Sequence, residues 1–518
     1  MSRRRLPPAA TSGIARRDFV GAIALAGGGL AVAALIIPNV WDSMAPAGDR
    51  PIRRNLLKIP PLLIGKRVAG SRQFDLTLQS GLSRFFEDRE TPTIGINGAY
   101  LGPTLQMVAG EAVRINVTNR LTEPATLHWH GFHLPASADG GPHQPIEPGE
   151  IWSPSFEVKQ RASLFWYHSH THRQTGPQVY HGLAGSIYVR DEASERLDLP
   201  NDYGIDDIPL IIQDRAFNTD GSFAYSTSMM NLMMGVTGDT LLVNGTIAPV
   251  FEAKNERLRL RLLNASNARF YRFGFDDGRR FHQIASDGGL LPRPHPTSSI
   301  ELAPAERAEI IVDVSDSRPV RLRASSAGQG MMGGVGMMGS GMMGGGMMGD
   351  KRQFEVLEIR PNSRQRRSAR LPVHLVDLES PDPTSAIRTR RFVLNMSMGG
   401  MTARGGAFTI NGKSMDMTRI DEVVRIGTSE IWEISNVSMM AHPFHVHDGQ
   451  FRILDRNGLP PSIGEQGLKD VVVVAPRERV RILMRFDDYA DPDLPYMYHC
   501  HILEHEDAGM MGQFVVTH

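Results

Sequence analysis

RLRLRLLNAS, residues 257–266, alternates arginine with leucine for six positions and then closes on Asn264, Ala265 and Ser266. Successive side chains of an extended strand point to opposite faces, so the stretch reads as a β-strand with one apolar face. Two other stretches share its design: AVRINVTN at 112–119 and EIWEISNVS at 430–438. Each of the three follows an apolar-Asn-Gly turn: Ile96-Asn97-Gly98, Val243-Asn244-Gly245 or Ile410-Asn411-Gly412. Each is followed by a second strand-like segment, EPGEIWSPSFEV from Glu147, APAERAEIIVDV from Ala303 and APRERVRILMRF from Ala475. One β unit is therefore present in three copies. The strands are short, the turns are rich in Gly, Pro, Asn and Asp, and no long stretch has a helical period. That pattern predicts an all-β fold of three Greek-key β-sandwiches. The expected domains are 50–197, 198–362 and 385–518, with 363–384 as the linker into the third.

The chain has 518 residues, enough for several cores. Its 56 Lys and Arg balance 56 Asp and Glu, which speaks against a nucleic-acid groove or an anionic partner. A single cysteine excludes an internal disulfide, whereas 18 histidines and 26 methionines supply an excess of soft or borderline metal ligands. At the N-terminus, Arg16-Arg17-Asp18-Phe19-Val20 precedes an apolar run to Ile37 that is rich in Ala and Gly. Residues 1–47 are similar to a twin-arginine export signal, implying the twin-arginine translocation machinery, a periplasmic location and a protein that folds with its cofactor before export. A retained membrane anchor is the other reading, since the run is about long enough to span a bilayer.

The histidines are concentrated in the outer two copies. His128-Trp129-His130-Gly131 and His168-Ser169-His170 lie in the first; His442-Pro443-Phe444-His445-Val446-His447 and His499-Cys500-His501 lie in the third. The corresponding stretch of the second, Asn264 to Phe270, has none. Residues i and i+2 of a strand share a face, so each His-X-His presents two imidazoles in one direction. Four such pairs can hold several metal ions with positions left open for oxygen or water. Cys500, between His499 and His501, must face the other way. There it can join His442 and His505 in a trigonal N,N,S site with Met510 as a long axial ligand, the blue-copper arrangement.

With these motifs in order, including HCHxxxHxxxxM, residues 50–518 resemble the multicopper oxidases, and most closely the bacterial cuprous (copper-efflux) oxidases. The resemblance implies three cupredoxin domains, four copper ions and a cluster between the first and third domains. It implies a type 1 copper on His442, Cys500, His505 and Met510, with adjacent Met511 the less well spaced axial candidate. A type 2 copper would take His128 and His445, and a type 3 pair His130, His168, His170, His447, His499 and His501. Asp139 and Glu506 match family positions that deliver protons to dioxygen as it is reduced to water. The chain is expected to act as a monomer.

The methionines bear on the electron donor. Residues 330–349, GMMGGVGMMGSGMMGGGMMG, hold four Met-Met pairs in a glycine matrix and read as a loop rather than an element. Thioethers select Cu(I). Met229, Met230, Met233 and Met234, then Met396, Met398 and Met401, then Met439 and Met440 beside His442 extend the theme. The expected substrate Cu(I) site, holding an additional labile ion, comprises Met396, Met398, Met401, Met439 and Met440. Relatives commonly carry their Met-rich insert in the third domain and carboxylates at the substrate copper, where this chain has Met401 and Ser438. Cu(I) is the expected donor, with a laccase acting on phenols as the rival. A copper-storing protein and a structural cupredoxin-fold protein of the division machinery are the non-enzymatic alternatives.

Overall fold

The repeated asparagines explain the repeated architecture. Asn97, Asn244 and Asn411 hold left-handed backbone angles, with φ of 56, 50 and 54°, which asparagine tolerates better than most residues. In each copy the side-chain carbonyl accepts a main-chain N–H of an adjacent strand: Thr77 at 2.7 Å, Ile211 at 2.8 Å and Val393 at 2.8 Å. The amide donates to the carbonyl two residues earlier, that of Asp75, Pro209 or Arg391. A second asparagine closes each alternating strand. Asn119, Asn264 and Asn436 each donate to two main-chain carbonyls and accept the N–H two residues on. Losing one would leave buried main-chain groups unpaired, at about 1–3 kcal/mol each. The third copy of this knot pins the carbonyl of Met440, two residues before His442.

The computed structural model describes residues 54–327, 352–397 and 406–518. The export signal read over 1–47, the Met-Gly stretch 330–349, Met398 and Met401 lie outside these residues. The described strands form three cupredoxin-like β-sandwiches, and the fold is all-β as expected. Three apolar cores fill them, built around Trp129 in the first, Leu258, Leu260 and Leu262 in the second, and Trp432 in the third.

Two elements cross the expected limits. Asn55–Leu56 pairs in parallel with Pro249–Asn255, so the start of the first segment edges a sheet of the second sandwich. The strand Gln353–Arg366 runs on into the stretch read as linker, with Arg366 opposite Asn255. The arginine face of 257–264 also has a use beyond solvation. Arg259 and Arg261 are buried and pair with Glu309, and Arg261 also pairs with Asp207 and lies over the Tyr188 ring of the first sandwich.

One sheet in each outer sandwich carries the histidine motifs. In the first, His128–His130 is the edge strand beside Ser163–His168, with His128 opposite His168. In the third, His442–Val446 lies beside Asp491–Cys500, with His445 opposite His499 and Phe444 opposite Cys500. Register thus turns four sequence motifs into two clustered sets.

Candidate metal centre

The two sets meet face to face between the first and third sandwiches. His130 stacks on His445 with ring centroids 3.8 Å apart, and His128 stacks on His447 at 3.9 Å. All eight imidazoles are buried. They resolve into groups whose ring nitrogens lie within 4.8 Å of one another: His130, His168 and His501; His170, His447 and His499; and His128 with His445 and His130.

One nitrogen of most rings is held by the protein, which fixes the tautomer and leaves the other nitrogen bare. Nδ1 of His128, His168, His445 and His499 donates to the carbonyls of Asp139, Ser169, Asp470 and Cys500, at 2.9, 2.8, 2.7 and 3.1 Å. His447 donates from Nδ1 to the Asp139 carboxylate at 2.8 Å. His130 is reversed: its Nε2 faces Asp470 at 3.1 Å, so Nδ1 points inward. Two glycines permit this packing. Gly131, at φ 84°, stands where a Cβ would strike the Asp470 carboxylate, and Gly140, at φ 74°, where it would strike the Leu127 carbonyl. The two acids read from sequence also fall on the cluster. Asp139 follows the helical turn Ala136–Ala138, and Glu506 places its carboxylate 3.1 Å from Nδ1 of His499 and 3.4 Å from Nδ1 of His170.

Electrostatics favour metal ligation. Burial, reinforced by neighbouring imidazoles, holds His130, His168, His445 and His447 well below the ordinary histidine range, and pushes His170 to about 4 and His501 to about 3. These rings are neutral bases at pH 7. Burial alone would raise Glu506, but His170, His499 and His501 together draw it below the usual carboxylate range.

On the opposite face of the same strand, Cys500 Sγ lies 3.4 Å from His442 Nδ1 and 3.6 Å from His505 Nδ1. Ser438 Oγ holds His442 Nε2 at 2.7 Å, and the Met233 carbonyl accepts from His505 Nε2 at 3.2 Å. Both Nδ1 atoms are thereby freed towards the sulfur. Burial pushes the thiol pKa up, so a free thiolate is disfavoured there and a bound cation would have to displace the proton. Met510 is fully buried in the same apolar cluster, its N–H donating to the His505 carbonyl and its own carbonyl accepting from Cys500 N. Met511 enters the strand opposite His499. Of the expected substrate methionines, Met439 is 42% exposed, Met440 is buried, and Met396 packs half-buried against the cluster holding Cys500 and Met510.

The donor set fits copper. Nε2 of His128, Nε2 of His445 and both nitrogens of His501 are buried without a hydrogen-bond partner, at about 1–3 kcal/mol each. That is a large fraction of the roughly 5–15 kcal/mol that stabilises a domain. The inward nitrogen pairs His168–His130, His170–His499 and His447–His499 stand 3.4, 3.2 and 3.3 Å apart. Two nitrogens bound at about 2 Å to one ion would sit at about that spacing.

Several contributors were not visible in the sequence. Asp470 orients His130 through its carboxylate and His445 through its carbonyl, while Arg307 of the second sandwich grips that carboxylate with two hydrogen bonds of 2.6 Å. Nothing local marks either residue. Glu504, by contrast, lies inside the HCHILEHED motif. It accepts from Val236 N, Asn267 Nδ2 and Tyr225 OH, tying the His505 turn to the second sandwich.

Three cupredoxin-like sandwiches, a buried His-Cys-His triad and an eight-imidazole cluster joined to it through one strand define a copper oxidoreductase. Comparison with known proteins agrees. Family models described as multicopper oxidase match residues 79–194 and 388–518. Multicopper oxidase mco of Staphylococcus aureus is 35% identical over 469 residues, covering 90% of this chain and 93% of the relative. Cell division protein FtsP of Sodalis glossinidius is 38% identical over 504 residues, covering 97% of this chain and 98% of the relative. Among solved structures, the laccase-like multicopper oxidase CueO of Ochrobactrum sp. superposes with a TM-score of 0.79 at 34% identity, covering 89% of this chain and all of that one. The chain belongs to the multicopper oxidase family. Such enzymes carry copper and pass electrons from a donor to dioxygen.

Proposed function

We propose that this oxidase takes single electrons from Cu(I) and reduces dioxygen to water, with four resident coppers. His442, Cys500, His505 and Met510 would hold type 1 copper, His128 and His445 type 2, and the triads His130/His168/His501 and His170/His447/His499 the type 3 pair. When bound, these coppers supply the one-electron acceptor and the site of oxygen reduction. The chain supplies the rest: imidazoles fixed in the ligating tautomer, a backbone link from Cys500 to both triads, and carboxylates at Asp139 and Glu506 to move protons. On the same reading the protein is monomeric and reaches the periplasm by the twin-arginine route.

The observation that carries the cuprous reading is the surround of His442. Ser438 anchors its outer nitrogen, and the next residue, Met439, carries a thioether and is exposed. The Met-Met pairs of 330–349 add soft ligands by composition. Replacing the eight methionines of that stretch with leucine keeps most of the bulk and removes the sulfur. The apparent KM for Cu(I) should rise about tenfold, in steady-state oxygen uptake, whereas phenols, which need no thioether, should be oxidised at close to the parent rate. Unchanged Cu(I) kinetics would reduce the stretch to a low-complexity insertion.

A laccase is the second reading, favoured by the likeness to the Ochrobactrum enzyme, whose described activity is towards lignin model compounds and lignosulfonate. A purely structural role, as the name of the FtsP relatives suggests, gives no reason to bury imidazole nitrogens without partners.

The axial assignment has its own test. Replacing Met510 with leucine removes a weak donor that stabilises the oxidised copper more than the reduced. The type 1 potential should rise by about 100 mV, on the order of 2 kcal/mol for one electron. A redox titration showing no shift, with a rise instead in Met511→Leu, would transfer the role.

A further inference from the structure

The short helix Met229–Met234 in the second sandwich stands directly on the turn that carries His505. Its C-terminal end is fastened there: the Met233 carbonyl accepts from His505 Nε2 at 3.2 Å, and Val236, two residues beyond the helix, donates its N–H to Glu504 Oε2 at 2.9 Å. Ser228 caps its N-terminus by accepting from Asn231 N. Met233 packs half-buried against the apolar cluster containing Cys500, Ile502 and Met510.

The other three methionines are turned outward. Met229 is 56% exposed, Met230 68% and Met234 38%. No charged residue occurs between Ser226 and Gly238. A six-residue helix is marginal by itself, and exposing long apolar side chains on it gains nothing from burial. Its position and composition call for another explanation.

Helical geometry supplies one. Met229 and Met233 are four residues apart, as are Met230 and Met234, and such pairs lie on one face with Cβ atoms about 5–6 Å apart. Methionine has three rotatable bonds, so paired thioethers can close on a single ion. Thioether sulfur selects Cu(I) over harder cations, and the segment itself carries no charge to recruit Cu(II).

We propose that the helix Met229–Met234 is a docking site for substrate Cu(I), in which the paired outward thioethers of Met230 and Met234 hold the ion on a helix whose Met233 carbonyl is hydrogen-bonded to His505. The inference rests on the cuprous reading above and locates where that substrate is held. An ion there gives up one electron through the Met233 main chain and its hydrogen bond to His505, and departs as Cu(II). Four such ions, with four protons, balance the conversion of one dioxygen to two waters. Departure follows from the same chemistry as docking, because Cu(II) prefers nitrogen and oxygen ligands to thioethers.

The test uses the full-length, copper-loaded protein and the double variant Met230→Leu, Met234→Leu, compared at equal resident copper content. Ag(I), a redox-inert stand-in for Cu(I), is titrated calorimetrically, and Cu(I) oxidation is followed by oxygen uptake. The variant should lose one silver equivalent, and its KM for Cu(I) should rise about tenfold. The same silver stoichiometry and the same KM in both proteins, with the parent oxidising Cu(I) well, would overturn the site and leave the cuprous reading standing. Loss of a silver equivalent in the variant of a parent that does not oxidise Cu(I) would uphold the site and remove the cuprous reading.

Discussion

Replacing Cys500 with serine is expected to abolish the intense blue absorption and to lower oxidase turnover by more than about three orders of magnitude, equivalent to roughly 4 kcal/mol of barrier. The thiolate is the source of the charge-transfer band, and serine offers no comparable soft anion to copper. Cys500 is also where the two halves of the site join. Its Sγ lies within 3.6 Å of both Nδ1 atoms of His442 and His505. Its chain neighbours belong to different triads, His499 with His170 and His447, and His501 with His130 and His168. On the proposed assignment this one residue spans the electron path to both groups. The eight imidazoles are untouched by the substitution, so copper bound per chain should fall by about one and not to zero. The new hydroxyl is buried and can cost about 1–3 kcal/mol, which a melting curve would register separately from the loss of colour. Retention of the blue band in this variant would refute the assignment.

How much of this was legible in sequence depended on whether the cause was local. The strand period of 257–264, the recurring Asn-Gly turns and the His-X-His pairs are all short-range patterns; the cross-strand register that sets His128 opposite His168 and His445 opposite His499 comes only with the structure. Even the turn that aims Asp139 at His447 is local, since Gly140 admits it. What escaped notice was contributed from a distance. Arg307 reaches Asp470 across 163 positions, and Asp470 reaches His130 across 340. Arg259 and Arg261 look in sequence like the polar edge of an amphipathic strand, yet they are buried against the first sandwich by their acidic partners and Tyr188. Likewise, the composition of Met229 to Met234 suggested soft ligands, but only tertiary structure sets their helix against His505.

Asp139→Asn and Glu506→Gln should each slow oxygen consumption by about a hundredfold, the scale of positioned acid–base catalysis, while anaerobic reduction of the blue copper stays fast. Each acid crosses the interface. Asp139, from the first sandwich, holds Nδ1 of His447 in the third at 2.8 Å, and Glu506, from the third, lies 3.4 Å from Nδ1 of His170 in the first. Both therefore address the same triad, His170, His447 and His499, whereas the reversed ring of the other triad, His130, is held by Asp470. The two Glu506 oxygens face different rings, one towards His499 and one towards His170, so a proton taken at one oxygen can be released from the other. The amide variants preserve shape and much of the hydrogen bonding but cannot carry that proton. Electron transfer from the donor to Cys500 involves neither side chain, so only the oxygen half-reaction should respond. Stopped-flow reduction without oxygen, followed by reoxidation with it, separates the two. Slow anaerobic reduction in either variant would place these acids on the electron path, and unimpaired reoxidation would remove them from proton delivery.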